Sequence, residues 1–449
     1  MMKTELLEKI ETAGVVGAGG AGFPTHVKLN SSPEFLLINA AECEPLLAVD
    51  QLLMEHYAPL LISTCIHIAQ AMQVKQAVVA VKKKYTQAIA AMRDAIESQP
   101  ADVRVKCELA LLEDLYPAGD EQVAVYEIFS RIVPEGNIPL AVGIVVINVE
   151  TLLNIAHSLK GTPVTESFVT ICGDVAQPIT VRLPVGTSVR TAVAFASSEC
   201  SPVTHLCLDG GPMTGQLVED WEQPITKTTK GLVLIPRTHY LGLRYLNISR
   251  EVTKNAVSIC CACVQCTEIC PRYLLGHSIE PKRLMVAEAQ GLEHDARIFR
   301  MAHFCCECGL CDLWACFMNL SPRLLNVKLK RELQGAGIRP TPLKTQWSAH
   351  PLRETRRIPT ARLKSKLQIT EFDRPARFIE SPEIEIRQVR LPLRQHRGVP
   401  ATPCVKVGDH VNKGDLLAAP RNGELGARIH SSISGRITEI TPQAILVEI

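Results

Sequence analysis

Seventeen cysteines stand in this 449-residue chain, and ten of them fall in two short segments, Cys260–Cys270 and Cys305–Cys316. The first runs Cys260-x2-Cys263-x2-Cys266-x3-Cys270-Pro271, the second Cys305-x2-Cys308-x2-Cys311-x4-Cys316. Thiols at successive two-residue gaps let one loop wrap three corners of an iron–sulfur cube, with a fourth arriving from farther along. Zinc is the competing reading. Zinc ribbons, however, set two C-x2-C pairs far apart around one tetrahedral ion, whereas each loop here supplies a triplet. The spacing therefore favours two [4Fe–4S] clusters. Cys261 and Cys306 are spare, either as packed neighbours or as substitute ligands. The second segment departs from the first in two ways: four residues precede Cys316, and Phe317 stands where the first has Pro271.

The fourth cysteine of each run in two-cluster ferredoxins serves the other cluster. By that rule one set is Cys260, Cys263, Cys266 and Cys316, and the other is Cys305, Cys308, Cys311 and Cys270. A second chemical feature lies near the N-terminus. Gly17, Gly19 and Gly22 satisfy GxGxxG, and Glu42 follows 20 residues after Gly22, as in a dinucleotide fingerprint. The context differs, because a helix rather than a strand precedes Gly17. What remains is a run of bare backbone amides suited to an anionic phosphate.

These residues must be held by a scaffold, and the hydrophobic pattern describes one. Residues 4–13 read as a helix, 35–40 as a buried strand leaving into an acidic loop, and 58–73 as a helix. Strands at 77–81, 103–109 and 143–149 alternate with helices at 87–98 and 123–131, which predicts an α/β layer structure to about residue 160. Short alternating strands with one helix follow, then helical surroundings for the cysteines. Residues 323–397 carry 18 Lys+Arg against 7 Asp+Glu and many prolines, the composition of a linker or wrapping arm. Short strands with glycine turns end the chain.

Overall charge is nearly balanced, 48 Lys+Arg against 46 Asp+Glu, which argues against a nucleic-acid-coating surface. The longest apolar run, Ile138–Val149, has 12 residues, short of the ~18 that a bilayer span needs. No basic-then-apolar signal pattern opens the chain, so a cytoplasmic protein without disulfide framework or membrane span is expected.

The strings GVVGAGGAGFPTHVKL, INAAECEP, LYPAGDEQ and INVETLLNIA resemble the FMN- and NADH-binding flavoprotein subunit of complex I, and more closely the C subunit of the Rnf electron-transport complex. The resemblance implies FMN phosphate at Gly17, Gly19, Gly20, Gly22, Phe23 and Lys28. It places Asn39, Tyr116, Gly119, Asn148 and Thr151 along the flavin and nicotinamide pocket. Glu42, Glu44, Asp120 and Glu121 take the catalytic positions, orienting water and cofactors and tuning the flavin rather than acting as general bases. Ala41 stands where the complex I proteins carry aspartate, and Asp120 where they carry glutamate.

Implied for the whole chain are an α/β FMN/NADH-binding domain (1–163), a β-grasp, soluble-ligand-binding-like module (164–250) and a two-cluster [4Fe–4S] ferredoxin-type domain (251–335). A basic linker (336–397) and a barrel-sandwich, biotinyl/lipoyl-like domain (398–449) complete it. In that last domain Lys406 and Lys413 precede the carrier position, so no covalent lipoyl or biotinyl group is expected. The order of these modules is similar to that of the cobalamin reductases of propanediol-utilisation microcompartments. That resemblance implies NADH as substrate, FMN and two [4Fe–4S] clusters as cofactors, and cobalamin as acceptor. It further implies a corrinoid adenosyltransferase and shell proteins as partners, and a cytoplasmic location inside a bacterial microcompartment. A peripheral Rnf-type subunit and a non-enzymatic cluster-bearing scaffold are the competing readings.

Overall fold

The computed structural model describes residues 2–20, 22–100, 105–246, 259–291, 296–382 and 386–449. Its first module runs α1 (Lys3–Thr12), α2 (Thr25–Leu29), β1 (Phe35–Ala40), α3 (Val49–Ala71), β2 (Gln76–Lys82), α4 (Thr86–Glu97), β3 (Lys106–Leu112), β4 (Leu115–Tyr116), α5 (Glu121–Phe129), β5 (Ile144–Asn148) and α6 (Val149–Leu159). A parallel sheet forms in the order β3-β2-β1-β5, its strands β2, β1 and β5 rich in Val, Ile and Leu and buried on both faces and β3 half-buried at the edge. The chain leaves β1 toward β2 on one side and returns with β5 on the other. Sheets of this kind bind ligands outside the carboxyl ends of their strands at such a reversal. The register aligns the two Ile-Asn pairs of the sequence, Ile38 with Ile147 and Asn39 with Asn148, at that end.

Helix α3 begins nine residues before the expected start, because it continues through Pro59 with Tyr57 pulled out of helical angles. It is the one described helix long and apolar enough to cross a membrane by length and composition. Here it is a core helix: Leu53, Met54, Leu61, Ile62 and Ile68 are packed with Leu36, Ile38 and Val79 of the sheet.

The second module consists of β6 (Glu166–Gly173), β7 (Ile179–Pro184), α7 (Val189–Ala194), β8 (His205–Asp209), β9 (Gln216–Leu217) and β10 (Gly231–Pro236). Their order β7-β6-β10-β8-β9, with β10 parallel to β6 and antiparallel to β8, is a β-grasp sheet with α7 packed on its core face. The cysteine module follows as short helices, α8 (Gln265–Glu268), α9 (Pro271–Leu274), α10 (Pro281–Ala289), α11 (Ala296–Arg300) and α12 (Pro322–Gly335). Residues 251–258, the start expected for this module, lie outside the described residues.

The basic stretch 336–397 is a strap rather than a free linker. Its β11 (Ile358–Pro359) pairs with β4, α13 (Thr360–Lys366) follows, and β12 (Arg377–Ile379) adds to β7. Its cations meet acids of other modules: Arg353 and Arg357 reach Glu127, and Arg356 reaches Glu268. Strand β13 (Gln388–Pro392) already belongs to the last module, so the barrel sandwich starts ten residues before the expected 398. Only Val389 and Leu391 point inward there, an alternation too short to stand out among arginines. Two sheets close this module, β13-β19-β18-β15 and β14-β16-β17. They are built from β14 (Thr402–Pro403), β15 (His410–Val411), β16 (Leu416–Ala419), β17 (Ile429–His430), β18 (Gly435–Ile440) and β19 (Ala444–Glu448).

Candidate functional site

A cleft of about 280 Å³ opens at the carboxyl ends of β1 and β5, near the lower end of ordinary small-molecule sites. Gly19 and Gly20 of the glycine turn, Asn39, Glu42 and Glu44 after β1, Tyr116, Gly119, Asp120 and Glu121 around the start of α5, and Asn148 after β5 all line it. Residues separated by more than 100 positions thus share one wall.

Each is held by a specific contact. Asn39 Nδ2 donates to the Gly119 carbonyl at 2.8 Å. Asn148 caps α6, accepting from the Glu150 amide at 3.0 Å, and donates to Asp50 at 2.8 Å. Asp120 caps α5, accepting from the Gln122 and Val123 amides at 3.0 and 3.1 Å. Its oxygens also receive Arg272 in a two-pronged ion pair at 2.6 and 2.8 Å, joining α5 to the residue two beyond Cys270. Gly119 has no alternative there, because a Cβ would lie 2.8 Å from that of Cys43.

The remaining expected residues do not line the cleft but shape it. Thr151 Oγ1 accepts from the Ala18 amide at 2.9 Å and pins the glycine turn to α6. Gly17 and Phe23 close that turn through the Gly17 amide and the Phe23 carbonyl at 2.9 Å. Gly22 has φ +63°, and a Cβ on it would meet the backbone of His396 at 3.1 Å. Lys28 pairs with Glu121 at 3.1 Å, so its charge stands one side chain away from the lining.

The electrostatic centre of the cleft is a residue without a sequence signal. Lys230, from the start of the β-grasp strand β10, enters the cleft almost fully buried and pairs with Asp50 at 2.8 Å and Glu150 at 3.1 Å. Glu42 accepts from the Asp50 amide at 3.3 Å. Burial first, and the Asp50 charge second, push Glu42 up to about 8, while Lys230 pulls it down. Glu44 is raised by burial, although the Met213 amide (2.8 Å), the Thr214 hydroxyl (2.9 Å) and the Tyr116 hydroxyl (3.3 Å) all donate to it. Lys230, Asp50 and Glu150 could have been found only by knowing which loops meet.

The cysteines approach the same cleft. Cys306 and Cys308 line it, and the Tyr116 hydroxyl donates to the Cys308 carbonyl at 2.7 Å. Cys306 lies nearest in electrostatic reach to both Cys308 and Cys270, followed by Cys270 and Cys311 for Cys308 and by Cys305 for Cys270. Cys266 faces Cys316, Cys263 and Cys260 instead. The extra residue before Cys316 is absorbed in a π-turn over Leu310–Trp314, where the Ala315 amide bonds the Leu310 carbonyl at 2.9 Å. Buried Asp312 braces that turn through Ser321 at 2.7 Å and Arg323 at 3.2 Å.

The residues present fit both groups. At Gly20, φ is +105° and an added Cβ would meet nothing within 4 Å, so bare backbone faces open cleft space. Among the described residues, no three Cys, His, Asp or Glu side chains converge as ligands of one metal ion would. A multi-iron cluster instead holds its thiolates at separate corners. Burial pushes the Cys266 thiol up to about 12 and Cys305 up to about 11, so the protein alone keeps them protonated, and a bound metal deprotonates such thiols outright.

Comparison with known proteins agrees module by module. The Nuo51 FMN-binding domain family matches residues 10–157, the 4Fe-4S dicluster domain family residues 259–321, and the RnfC barrel sandwich hybrid domain family residues 377–448. Fold and site together define an oxidoreductase of the FMN and iron–sulfur electron-transfer class. Cobalamin reductase PduS of Citrobacter freundii is 39% identical over 98% of this chain and 95% of its own length. The Salmonella typhimurium protein of that name is 39% identical over 99% and 96%. The chain belongs to the PduS family of cobalamin reductases. The C subunit of the ion-translocating oxidoreductase complex of Vibrio cholerae is 32% identical over 61% of this chain but only 34% of that one. An NAD+-reducing [NiFe]-hydrogenase chain shares the fold, with a TM-score of 0.52, 20% identity, and coverage of 83% of this chain and 68% of that one.

Proposed function

We propose that this chain oxidises NADH and passes electrons singly to cobalamin, from cob(III)alamin to cob(II)alamin and on to cob(I)alamin, for 1,2-propanediol utilisation. The observation that carries the electron path is the shared wall: Cys306 and Cys308 line the cleft whose other side is the glycine turn. FMN and two [4Fe–4S] clusters, when bound, accept a hydride pair and release it as single electrons. The full-length relationship to the cobalamin reductases supports the acceptor, whereas the short overlap with the Vibrio protein weakens the Rnf-type reading.

In this reading Gly19 and Gly20 present backbone amides to the FMN phosphate, with Gly17, Gly22, Phe23 and Thr151 fixing the turn and Lys28 offsetting the charge of Glu121 beside it. Asn39, Tyr116, Gly119 and Asn148 set the walls. Asp120 positions α5 and holds the cysteine module against it. Glu42, pushed up to about 8 by burial, accepts from the Asp50 amide and tunes the charge of the cleft rather than acting as a general base. Glu44 fixes Tyr116, and Glu121 faces the nicotinamide side. The ligand sets are Cys260, Cys263, Cys266, Cys316 and Cys270, Cys305, Cys308, Cys311. A corrinoid adenosyltransferase and microcompartment shell proteins are the partners, and the cytoplasmic microcompartment the location, that accompany this role.

Anaerobic purification tests it. About eight irons per chain are expected for two [4Fe–4S] clusters, with one FMN and NADH-driven formation of cob(I)alamin trapped by an alkylating agent. Zinc without iron, or fully reduced cofactors that leave cobalamin untouched, would refute it.

A further inference from the structure

The two thiol sets differ in burial and in charge. The inner set, which borders the flavin cleft through Cys308, includes the buried Cys270 and Cys311. The outer set reaches the surface at the exposed Cys263. Adding an electron makes a thiolate-held cluster more negative, so burial away from water opposes that step and a nearby cation favours it.

The cations beside the inner set each carry a carboxylate of their own. Arg272 holds Asp120 at 2.6 Å. Lys330, on the Cys305 carbonyl at 3.1 Å, holds Glu307 at 2.7 Å. Arg323, within electrostatic reach of Cys311, holds Asp312 at 3.2 Å. Arg244, beside the outer set, is different. It is 7% exposed and its guanidinium meets only carbonyls, Asn319 at 3.0 Å and Asp312 at 3.4 Å, while Nε is buried without a partner. The Asn319 amide donates to the Cys316 carbonyl at 3.2 Å, so this cation sits on the turn that follows Cys316 and lies within electrostatic reach of that thiol. Among the described residues no carboxylate pairs with it. A guanidinium stays charged inside proteins, and a buried charge without a counter-charge is costly. A cluster held by four thiolates is anionic and supplies the missing partner.

We propose that the cluster of Cys260, Cys263, Cys266 and Cys316 is the counter-charge of Arg244, and that this cation raises its midpoint potential above that of the inner cluster. Electrons then run downhill from the flavin cleft to the exposed end of the cysteine module. The step moves one electron: the inner cluster returns to its oxidised state, the outer one becomes reduced, and no bond forms or breaks. The inference rests on the two-cluster reading above and orders the two groups along the path.

The test is a redox titration of the anaerobic holoprotein followed by electron paramagnetic resonance, with Arg244→Met, Arg244→Gln and Arg244→Lys. Signals are assigned with Cys308→Ser, which keeps the outer cluster. In the parent the outer cluster should reduce at the higher potential. In Arg244→Met its reduced-to-oxidised ratio at a fixed potential should fall about tenfold or more, a shift of ~59 mV for one electron, while the inner midpoint stays at the parent value. Arg244→Gln keeps donors for the two carbonyls without the charge and should shift likewise. Arg244→Lys keeps the charge without the planar fork and should retain most of the parent potential. Loss of the outer cluster's irons from both neutral variants, with retention in Arg244→Lys, supports the same counter-charge. Loss from all three, equal shifts in all three, unchanged midpoints in the neutral variants, or an outer cluster that reduces below the inner one in the parent overturns the proposal. A parent that holds zinc or a single cluster overturns the two-cluster reading instead.

Discussion

Replacing Lys230 by Met removes the one cation that Asp50 and Glu150 share in the flavin cleft. The side chains of Lys230, Asp50 and Glu150 are 9%, 4% and 1% exposed, and the two pairs close at 2.8 and 3.1 Å. Met fills similar volume, so the loss is electrostatic rather than steric. Removing one member of a buried pair typically costs ~3–5 kcal/mol, because the other charge is left uncompensated. For a cooperative body of roughly 150–250 residues, at about 2–4 °C per kcal/mol, that lowers its thermal transition by about 6–20 °C. The loss should depend on pH, and its sign follows from the carboxyls. Burial already holds Glu42 and Glu150 above the ordinary carboxylate range, and Lys230 pulls both down. Without Lys230 they rise further, so the folded chain retains protons that the unfolded chain has lost. Stability then falls as pH climbs from the ordinary carboxylate range through the raised folded values. The deficit should be smallest at about pH 5 and still be growing at and above about pH 8, where Glu42 of the parent gives up its proton and that of the variant does not, read by thermal unfolding of parent and variant from about pH 5 to 9. A deficit independent of pH, or none at pH 8, would refute the assignment of Lys230 as the electrostatic centre of the cleft.

Three further outcomes follow from the same geometry. Cys308→Ser should lose about four of about eight irons, keep NADH reduction of the flavin, and slow trapped cob(I)alamin formation; parental rates with that cluster missing would remove it from the path. Lys28→Glu turns the Glu121 pair into two facing carboxylates at the edge of the cleft, so FMN content should collapse while cluster absorbance persists. Gly119→Ala forces a Cβ to 2.8 Å from that of Cys43, an overpacking that costs ~1–3 kcal/mol and should weaken FMN retention, measured by release on dialysis.

Spacing along the chain was enough to point to a 4Fe-4S dicluster domain, because a loop that wraps a cluster must bring its ligands in a fixed rhythm, and that rhythm is local. The alternation of strand and helix was equally legible, since buried parallel strands need continuous apolar runs. Other features had no local signal. Lys230 matters only because β10 delivers it to Asp50 and Glu150, 180 and 80 residues away. Val389 and Leu391 join the barrel sandwich only because β19 lies beside them. Composition left the basic stretch as a linker or a wrapping arm, and it is an arm because its arginines find Glu127 and Glu268 on other modules. Even the irregular gap before Cys316 was resolved by a π-turn that depends on Asp312 finding Ser321 and Arg323. The sequence alone determined the dicluster domain and the sheet, which depend on neighbours along the chain. The tertiary structure decided the charge balance of the cleft and the thiol set that faces solvent, which depend on loops that meet only after folding.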